Sequence, residues 1–212
     1  IVRSRTFQQS SAPRAEAMSV DQANRGLWRL PVHRLDAEGI RDLMIAASGV
    51  LDPKSSGPYV PTPRNGDGEV LAEESAPGAR ARSVFLQHRR TQVPTWLVNF
   101  DAPSVVFNCT RRARTTMPLQ SLSLLNSEFT LQRARDLVLR LDRECGASEK
   151  ARIQWAFLLV CSREPDASER SASEEFLRHQ LSLYTAHPDS NQRAWRDFAQ
   201  SLFTLNDCLY LR

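Results

Sequence analysis

The sequence predicts a mainly α protein: an irregular N-terminal half with one or two short strands and a long loop, then a C-terminal antiparallel helix bundle. Three observations carry that reading. Beyond Pro118 the apolar residues recur at spacings of three and four, as in helices with one buried face. Residues 52–81 hold five Pro and four Gly, which interrupt any period. A strand-like run is confined to Ser83-Val84-Phe85-Leu86, flanked by basic residues.

The elements follow in order. From Asp36, a plausible N-cap, Ile40, Leu43, Met44, Ala47 and Val50 form one apolar stripe, and Gly49 with Asp52-Pro53 supplies the stop. The connection 52–81 is long for a compact domain, so it is expected to be either a functional loop or mobile. Pro94 to Phe100 suits a turn of helix, with Trp96, Leu97 and Phe100 on one side, and Asp101 to Thr116 reads as irregular. Pro118 fits a first helical turn, with Thr115 or Thr116 as cap. Leu122, Leu125 and Phe129 then lead into Ala134, Leu137, Val138 and Leu141, ended by Gly146. Ser148 caps a helix carrying Ile153, Ala156, Phe157 and Val160. Asp166 or Ser168 opens another, with Phe176, Leu177, Leu181 and Tyr184, stopped at His187-Pro188. The last places Trp195, Phe198, Ala199, Leu202 and Phe203 on one face. Short connections make these helices antiparallel neighbours. The expected organisation is an α-rich irregular segment, 1–117, packed with a helical bundle, 118–212, as one unit.

Composition narrows the function classes. Hydrophobic residues make up 41% and charged residues 25%, ordinary for a globular fold. No apolar run approaches the ~20 residues of a membrane span. The chain opens Ile1-Val2-Arg3 rather than with Met, which predicts a fragment of a longer protein whose compartment its own sequence does not reveal. The net charge of +4 hides an asymmetry: residues 1–35 carry six Arg against Glu16 and Asp21, and residues 76–116 carry seven Arg against Asp101 alone. Lys54 and Lys150 are the only lysines, so positive charge rests on guanidinium groups, which pair well with carboxylates inside a fold. The basic segments lack interleaved aromatics and any nucleic-acid reading motif, which disfavours nucleic acid as a partner. Cys109, Cys145, Cys161 and Cys208 contain no CxxC or CxxCH, and His33, His88, His179 and His187 follow no ligand spacing, so neither metal nor haem is expected here. Disulfide pairing among the four cysteines stays open.

Several segments together carry a resemblance. They include Asn24-Arg25-Gly26-Leu27-Trp28-Arg29, Arg34-Leu35-Asp36-Ala37-Glu38, Arg82-Ser83-Val84-Phe85-Leu86 and Phe100-Asp101-Ala102-Pro103. The most specific are Cys109-Thr110-Arg111-Arg112 and Thr115-Thr116-Met117-Pro118-Leu119-Gln120-Ser121-Leu122, with Leu205-Asn206-Asp207-Cys208-Leu209-Tyr210 at the end. In these the chain resembles the C-terminal domain of a planctomycete-type family of exported proteins of unknown function, many of which have an N-terminal cytochrome-c-like region. The resemblance implies an exported or periplasmic, modular parent, with upstream domains of that parent as partners and haem chemistry confined to them. Phe85 stands where a Tyr is common, and Cys208 where a Glu is common. The resemblance implies no activity.

Each candidate site residue has a functional and a structural reading. Glu38 and Asp42, one helical turn apart, could serve as paired acid and base, with Arg41 between them; a helix-face charge pair is the favoured reading. Asp101, beside Phe100, could be a catalytic carboxylate tuned by Arg82 or Arg112, yet as the single acid among seven Arg it reads better as the hub of an ion-pair network. Arg82, Arg111 and Arg112 are the anion-binding candidates, since guanidinium forks near a helix start can hold an oxyanion. Gln120 and Asn126 are read as amides fastening a loop, and Asn24 and Arg25 beside Trp28 as loop packing rather than a sugar surface. The leading expectation is a non-catalytic helical scaffold or docking domain. The alternatives are part of an enzyme acting on a complex polysaccharide, sulfated or unsulfated, with an anionic glycan as partner, and then a nucleic-acid binder.

Overall fold

The computed structural model describes residues 1–53 and 57–211, so residues 54–56 of the expected 52–81 connection, Lys54 among them, lie outside the described residues. The chain is mainly helical. In order come α1 (Ala15–Val20), β1 (His33–Arg34), α2 (Ala37–Ala47), a 3-10 turn (Ser83–Phe85), α3 (Thr95–Asn99), α4 (Pro118–Asn126) and α5 (Glu128–Cys145). Then follow α6 (Glu149–Cys161), α7 (Ala167–Leu183), α8 (Ser190–Phe203), α9 (Asn206–Leu209) and β2 (Tyr210–Leu211).

The bundle helices start where a side chain can satisfy their free amides. Ser127 accepts from Thr130 N at 3.2 Å to open α5, and Ser148 accepts from Ala151 N at 3.3 Å to open α6. At α7, Asp166 Oδ1 accepts from Glu169 N at 2.8 Å while Glu169 Oε2 accepts from Asp166 N at 2.9 Å, a reciprocal capping box. Around α5 the apolar stripes meet. Leu137 and Leu141 are fully buried with Ile153 and Ala156 of α6, and Trp195, Phe198 and Leu202 of α8 close the same cluster. Ile40 and Met44 of α2 join it, which brings the N-terminal half onto the bundle.

Three local expectations are corrected. The helix read from Pro118 to Gly146 is broken at Ser127, whose extended backbone (φ −69°, ψ 141°) lets its hydroxyl cap α5; the α4 residues Leu122 and Leu125 consequently stay about half exposed. The boundary before α4 is Met117, not Thr115 or Thr116, because the Thr115 hydroxyl is spent on Asp101. Ser83–Leu86 is not a strand: Ser83 to Phe85 form the 3-10 turn, because Asp42 Oδ1 takes both the Ser83 amide (2.7 Å) and its hydroxyl (2.6 Å). Leu86 does reach an isolated parallel bridge with Val60.

Among the described residues the strands are β1 and β2, paired antiparallel with His33 opposite Leu211 and Arg34 opposite Tyr210. Leu35 N donates to Leu209 O at 2.8 Å, extending the tie. The described part of the 52–81 connection is pinned to the body: Val60 and Val70 are buried, Val70 N donates to Thr95 Oγ1 at 2.8 Å, and Asp52 N to Arg80 O at 3.0 Å. No helix among the described residues is long and apolar enough to cross a membrane.

Candidate functional site

Of the residues singled out by sequence, Glu38, Arg41, Asp42, Arg82, Asp101, Arg112 and Gln120 lie where the segment 33–42 faces the stretches 79–83 and 100–120. Their centre is Arg34, 7% exposed, whose partners come from three separate stretches of chain. Its Nη2 donates to Asp101 Oδ2 at 2.6 Å and to Phe100 O at 3.3 Å, and its Nη1 to Gln120 Oε1 at 3.1 Å and to the Thr115 carbonyl. Asp101 also accepts from the Thr115 amide and hydroxyl, both at 2.8 Å, and from Gln120 Nε2 at 3.4 Å. These donors hold Asp101 in left-handed backbone (φ 65°), a conformation Asp tolerates better than most residues. Burial pushes its carboxyl up, but the Thr115 amide, the Arg34 guanidinium and the Thr115 hydroxyl outweigh that and keep it below the ordinary range.

Beside the hub the same two segments are laced by exposed and half-buried charges. Arg112 Nη1 meets Glu38 Oε2 at 2.6 Å and Asp36 Oδ2 at 3.6 Å, while Arg114 lies 3.7 Å from Asp36 and 2.9 Å from His33 Nδ1. Burial raises the Glu38 carboxyl, yet its hydrogen bond and charge contact with Arg112 bring it below the usual value; the same hydrogen bond raises Arg112. One turn along α2, Arg41 is buried and gives its Nη1 to Ala81 O (3.0 Å) and Ser83 Oγ (3.3 Å) and its Nη2 to Ala79 O (2.7 Å). Burial lowers its pKa to about 10. Asp42 lies 3.6 Å from Arg41 and 3.8 Å from Arg82, itself 65% exposed.

The two acids of α2 therefore point to different partners, and Asp101 belongs to a third set. Arg82, Arg111 and Arg112 do not converge: Arg82 flanks Asp42, Arg112 is bound to Glu38, and Arg111 is exposed. The guanidinium on Asp101 is that of Arg34 rather than Arg82 or Arg112. Gln120 sits in the hub, whereas Asn126 is exposed at the end of α4. Asn24 (φ 54°) fastens its loop through Nδ2 to Arg29 O (2.9 Å) and Oδ1 from Arg29 N (3.2 Å). Asp21 accepts from the amides of Arg25 (3.0 Å) and Gly26 (2.7 Å). Trp28 packs against the guanidiniums of Arg14 and Arg29, 5.7 and 5.0 Å from its ring centre.

Arg34 escaped sequence reasoning, and so did the buried Arg133 and Arg152. Arg133 is fully buried, bonded to Asp136 Oδ2 through Nε (3.0 Å) and to Glu74 Oε2 through Nη2 (2.8 Å). Arg152 meets Asp142 at 2.6 Å and stacks 4.0 Å over Trp195. A signal existed for these two: each falls on its helix's apolar stripe, Arg133 four residues before Leu137 and Arg152 four before Ala156. Among the described residues no three His, Cys, Asp or Glu side chains gather as a metal site, and all four cysteines are free thiols.

No curated protein and no solved structure matches the chain. A family match covers residues 1–177, and so takes in β1, α2, the Arg34–Asp101 hub and the bundle as far as α7. It leaves out α8 and the tail Leu205–Tyr210, which the resemblance had counted as the family's usual end. The segments that build the hub are the ones quoted for that resemblance, and with most of its length matched the chain belongs to the PSD1 family, described as protein of unknown function (DUF1553).

Proposed function

We propose that this chain is a non-catalytic helical scaffold or docking domain of an exported multidomain protein, and that it seats the upstream domains of the same parent. The observation that carries this reading is the state of Asp101. A catalytic carboxylate needs an oxygen free to face substrate, and both oxygens of Asp101 are taken up by Arg34, Thr115 and Gln120. Glu38 Oε2 and Asp42 Oδ1 are each taken by the protein's own donors, and the two acids serve different partners. Such pairing suits charges that fasten irregular chain to helices.

Action on an anionic polysaccharide would need these acids and the arginines to share one cleft, and their separate pairing favours the scaffold. Nucleic-acid binding would draw on phosphate contacts from unspent arginines, of which this region offers few. The reading is tested by expressing the chain and the upstream half of its parent separately and titrating one into the other by calorimetry. Saturable binding is expected. A monodisperse chain with no affinity for the upstream half would sink the proposal.

A further inference from the structure

On the far side of the bundle, α5 and α8 run antiparallel. Gln200, near the end of α8, bonds to the carbonyls of Leu124 and Leu125 just ahead of α5, while Arg152, over Trp195, holds Asp142 near the end of α5. Between the two helices lies a groove of about 350 Å³, at the lower end of the ~300–1,000 Å³ typical of ligand clefts. Residues one or two turns apart share a helix face. Arg135 and Asp142 thus stand at opposite ends of the α5 wall, and Arg196 and Asp189 at opposite ends of the α8 wall. The antiparallel run puts Arg135 and Arg196 at one end and the two carboxylates at the other.

The arginines here are not used up. Arg193 commits only Nε, to Asp189 Oδ1 at 2.8 Å, and Arg196 commits Nε and Nη2 to Asp197 Oδ1 at 3.2 and 3.0 Å. Arg135 gives Nη1 to Gln132 Oε1 at 3.4 Å and meets no carboxylate within 4.0 Å among the described residues. Asp142 is already held by Arg152. Three guanidiniums and two carboxylates line the groove, and Asp142 is also held by Arg152 from outside it, so the lining carries an excess of positive charge. The groove also holds Val138 and Leu139, the latter 60% exposed, an apolar side chain left open to water. A planar guanidinium with spare hydrogens matches two oxygens of one anion, which an ammonium cannot do in the same geometry.

We propose that the α5–α8 groove binds an oxyanion carried on a small organic body with an apolar face: a carboxylate, sulfate ester or phosphate ester held by Arg135 and Arg196 while the body covers Leu139. The site is separate from the Arg112–Glu38 cluster, where the guanidinium is already paired.

The test uses the full chain and calorimetric or NMR titration with inorganic phosphate, phenyl phosphate, phenyl sulfate and benzoate. At least one aryl anion is expected to bind saturably and roughly tenfold tighter than inorganic phosphate, the strongest of the three naming the headgroup. Arg135→Gln and Arg196→Gln should each weaken it by roughly tenfold, Leu139→Ser should erase the aryl advantage, and Arg111→Gln should change nothing. Arg135 has no ion pair to lose, so if Arg196→Gln unfolds, Arg135→Gln decides alone. Absence of saturable binding by every probe, binding indifferent to Arg135→Gln, or an aryl advantage that survives Leu139→Ser overturns the proposal.

Discussion

Arg34 and Asp101 meet at 2.6 Å although 67 positions separate them in the chain, and the contact joins β1 to the irregular stretch before α4. Arg34 lies directly opposite Tyr210 in the two-stranded pairing, so one residue fastens distant segments at once, the C-terminal strand through its backbone and the stretches around Asp101 and Thr115 through its side chain. Both partners are largely out of water. The attraction and the extra hydrogen bonds to Thr115 and Gln120 offset the cost of removing the charges from solvent, and either charge left alone would be expensive.

Replacing Asp101 with Asn keeps the side-chain size and tolerates the left-handed backbone, but removes the negative charge beside Arg34. Breaking such a pair by one partner costs roughly 3–5 kcal/mol. Urea denaturation of Asp101→Asn should show a loss of that order. Arg34→Met together with Asp101→Asn should lose less than the two single effects added, with a coupling of roughly 1–3 kcal/mol. Strict additivity would mean that the two residues do not act as a pair.

Acid should weaken the same region. Asp101 and Glu38 both have folded pKa values held below the ordinary ones, Asp101 by the Thr115 amide and Arg34 against the opposing effect of burial, Glu38 by Arg112 against the same effect. A carboxyl lowered on folding contributes its stability above its unfolded value of about 4 and loses it as pH falls through the folded value. Melting temperature should therefore be flat near neutrality and decline below about pH 4. In Asp101→Asn that acid decline should be shallower. An unchanged slope would show that other carboxyls govern it.

The helices were legible because their evidence is local. A 3.6-residue period is written within each segment, and the caps at Ser148 and Asp166 sit one position ahead of it. What local pattern cannot carry is a partner far away. β1 is two residues long and pairs with a strand at the other end of the chain, so neither strand shows alternation of its own. Val84 and Phe85 have strand propensity, yet Asp42, over forty positions upstream, bends Ser83 into a 3-10 turn and leaves Val84 71% exposed. In the site, the expectation that Asp101 is a hub rests on its isolation among arginines, which composition displays; that Arg34 would be the partner depends on tertiary geometry. Arg133 and Arg152 each fall on the apolar stripe of their helix, where periodicity alone does not show that the charge is buried; the acids that pair with them, Glu74 and Asp142, are supplied by the tertiary fold.

Arg133 should prove to be the anchor of the described loop around Glu74. It reaches Glu74 with one nitrogen and Asp136 with another, and lies 5.3 Å from the Phe129 ring centre. Arg133→Met keeps the apolar stem and drops the fork. It should expose the chain near Glu74 to limited proteolysis while the bundle helices stay protected from hydrogen exchange. Uniform loss of protection over α5, α6 and α8 would instead make Arg133 a determinant of the whole core.

Gly49 cannot be exchanged for Ala without two separate costs. Its φ is 75°, and a Cβ there would stand 2.8 Å from Arg140 Cδ. Arg140 lies so close because its Nη1 donates to the carbonyls of Ala46 and Ala47 at 3.2 and 2.9 Å, satisfying the end of α2. Gly49→Ala should destabilise by roughly 1–3 kcal/mol. Adding Arg140→Ala removes the crowding but not the backbone strain, so the second substitution should cost less in the Gly49→Ala background than in the parent chain. Equal cost in both backgrounds would show that the two residues do not crowd one another.

The four thiols should separate by reactivity. Cys109 is exposed, on the loop that carries Arg112, whereas Cys161 and Cys208 are buried at the junction of α6 and α9. Burial pushes the Cys161 thiol up to about 11 and the Cys208 thiol up to about 12, so almost none of either is thiolate at neutral pH. For the half-buried Cys145 the shift is also upward, first from burial and then from Glu144. A disulfide reagent at pH 7.5 should modify Cys109 first, Cys145 more slowly, and Cys161 and Cys208 only as denaturant opens the core. Mass spectrometry of the modified peptides gives the order directly. Early labelling of Cys208 in native buffer would mean that the α9–β2 tail detaches from α6, and with it the pairing that places Arg34 beside Tyr210.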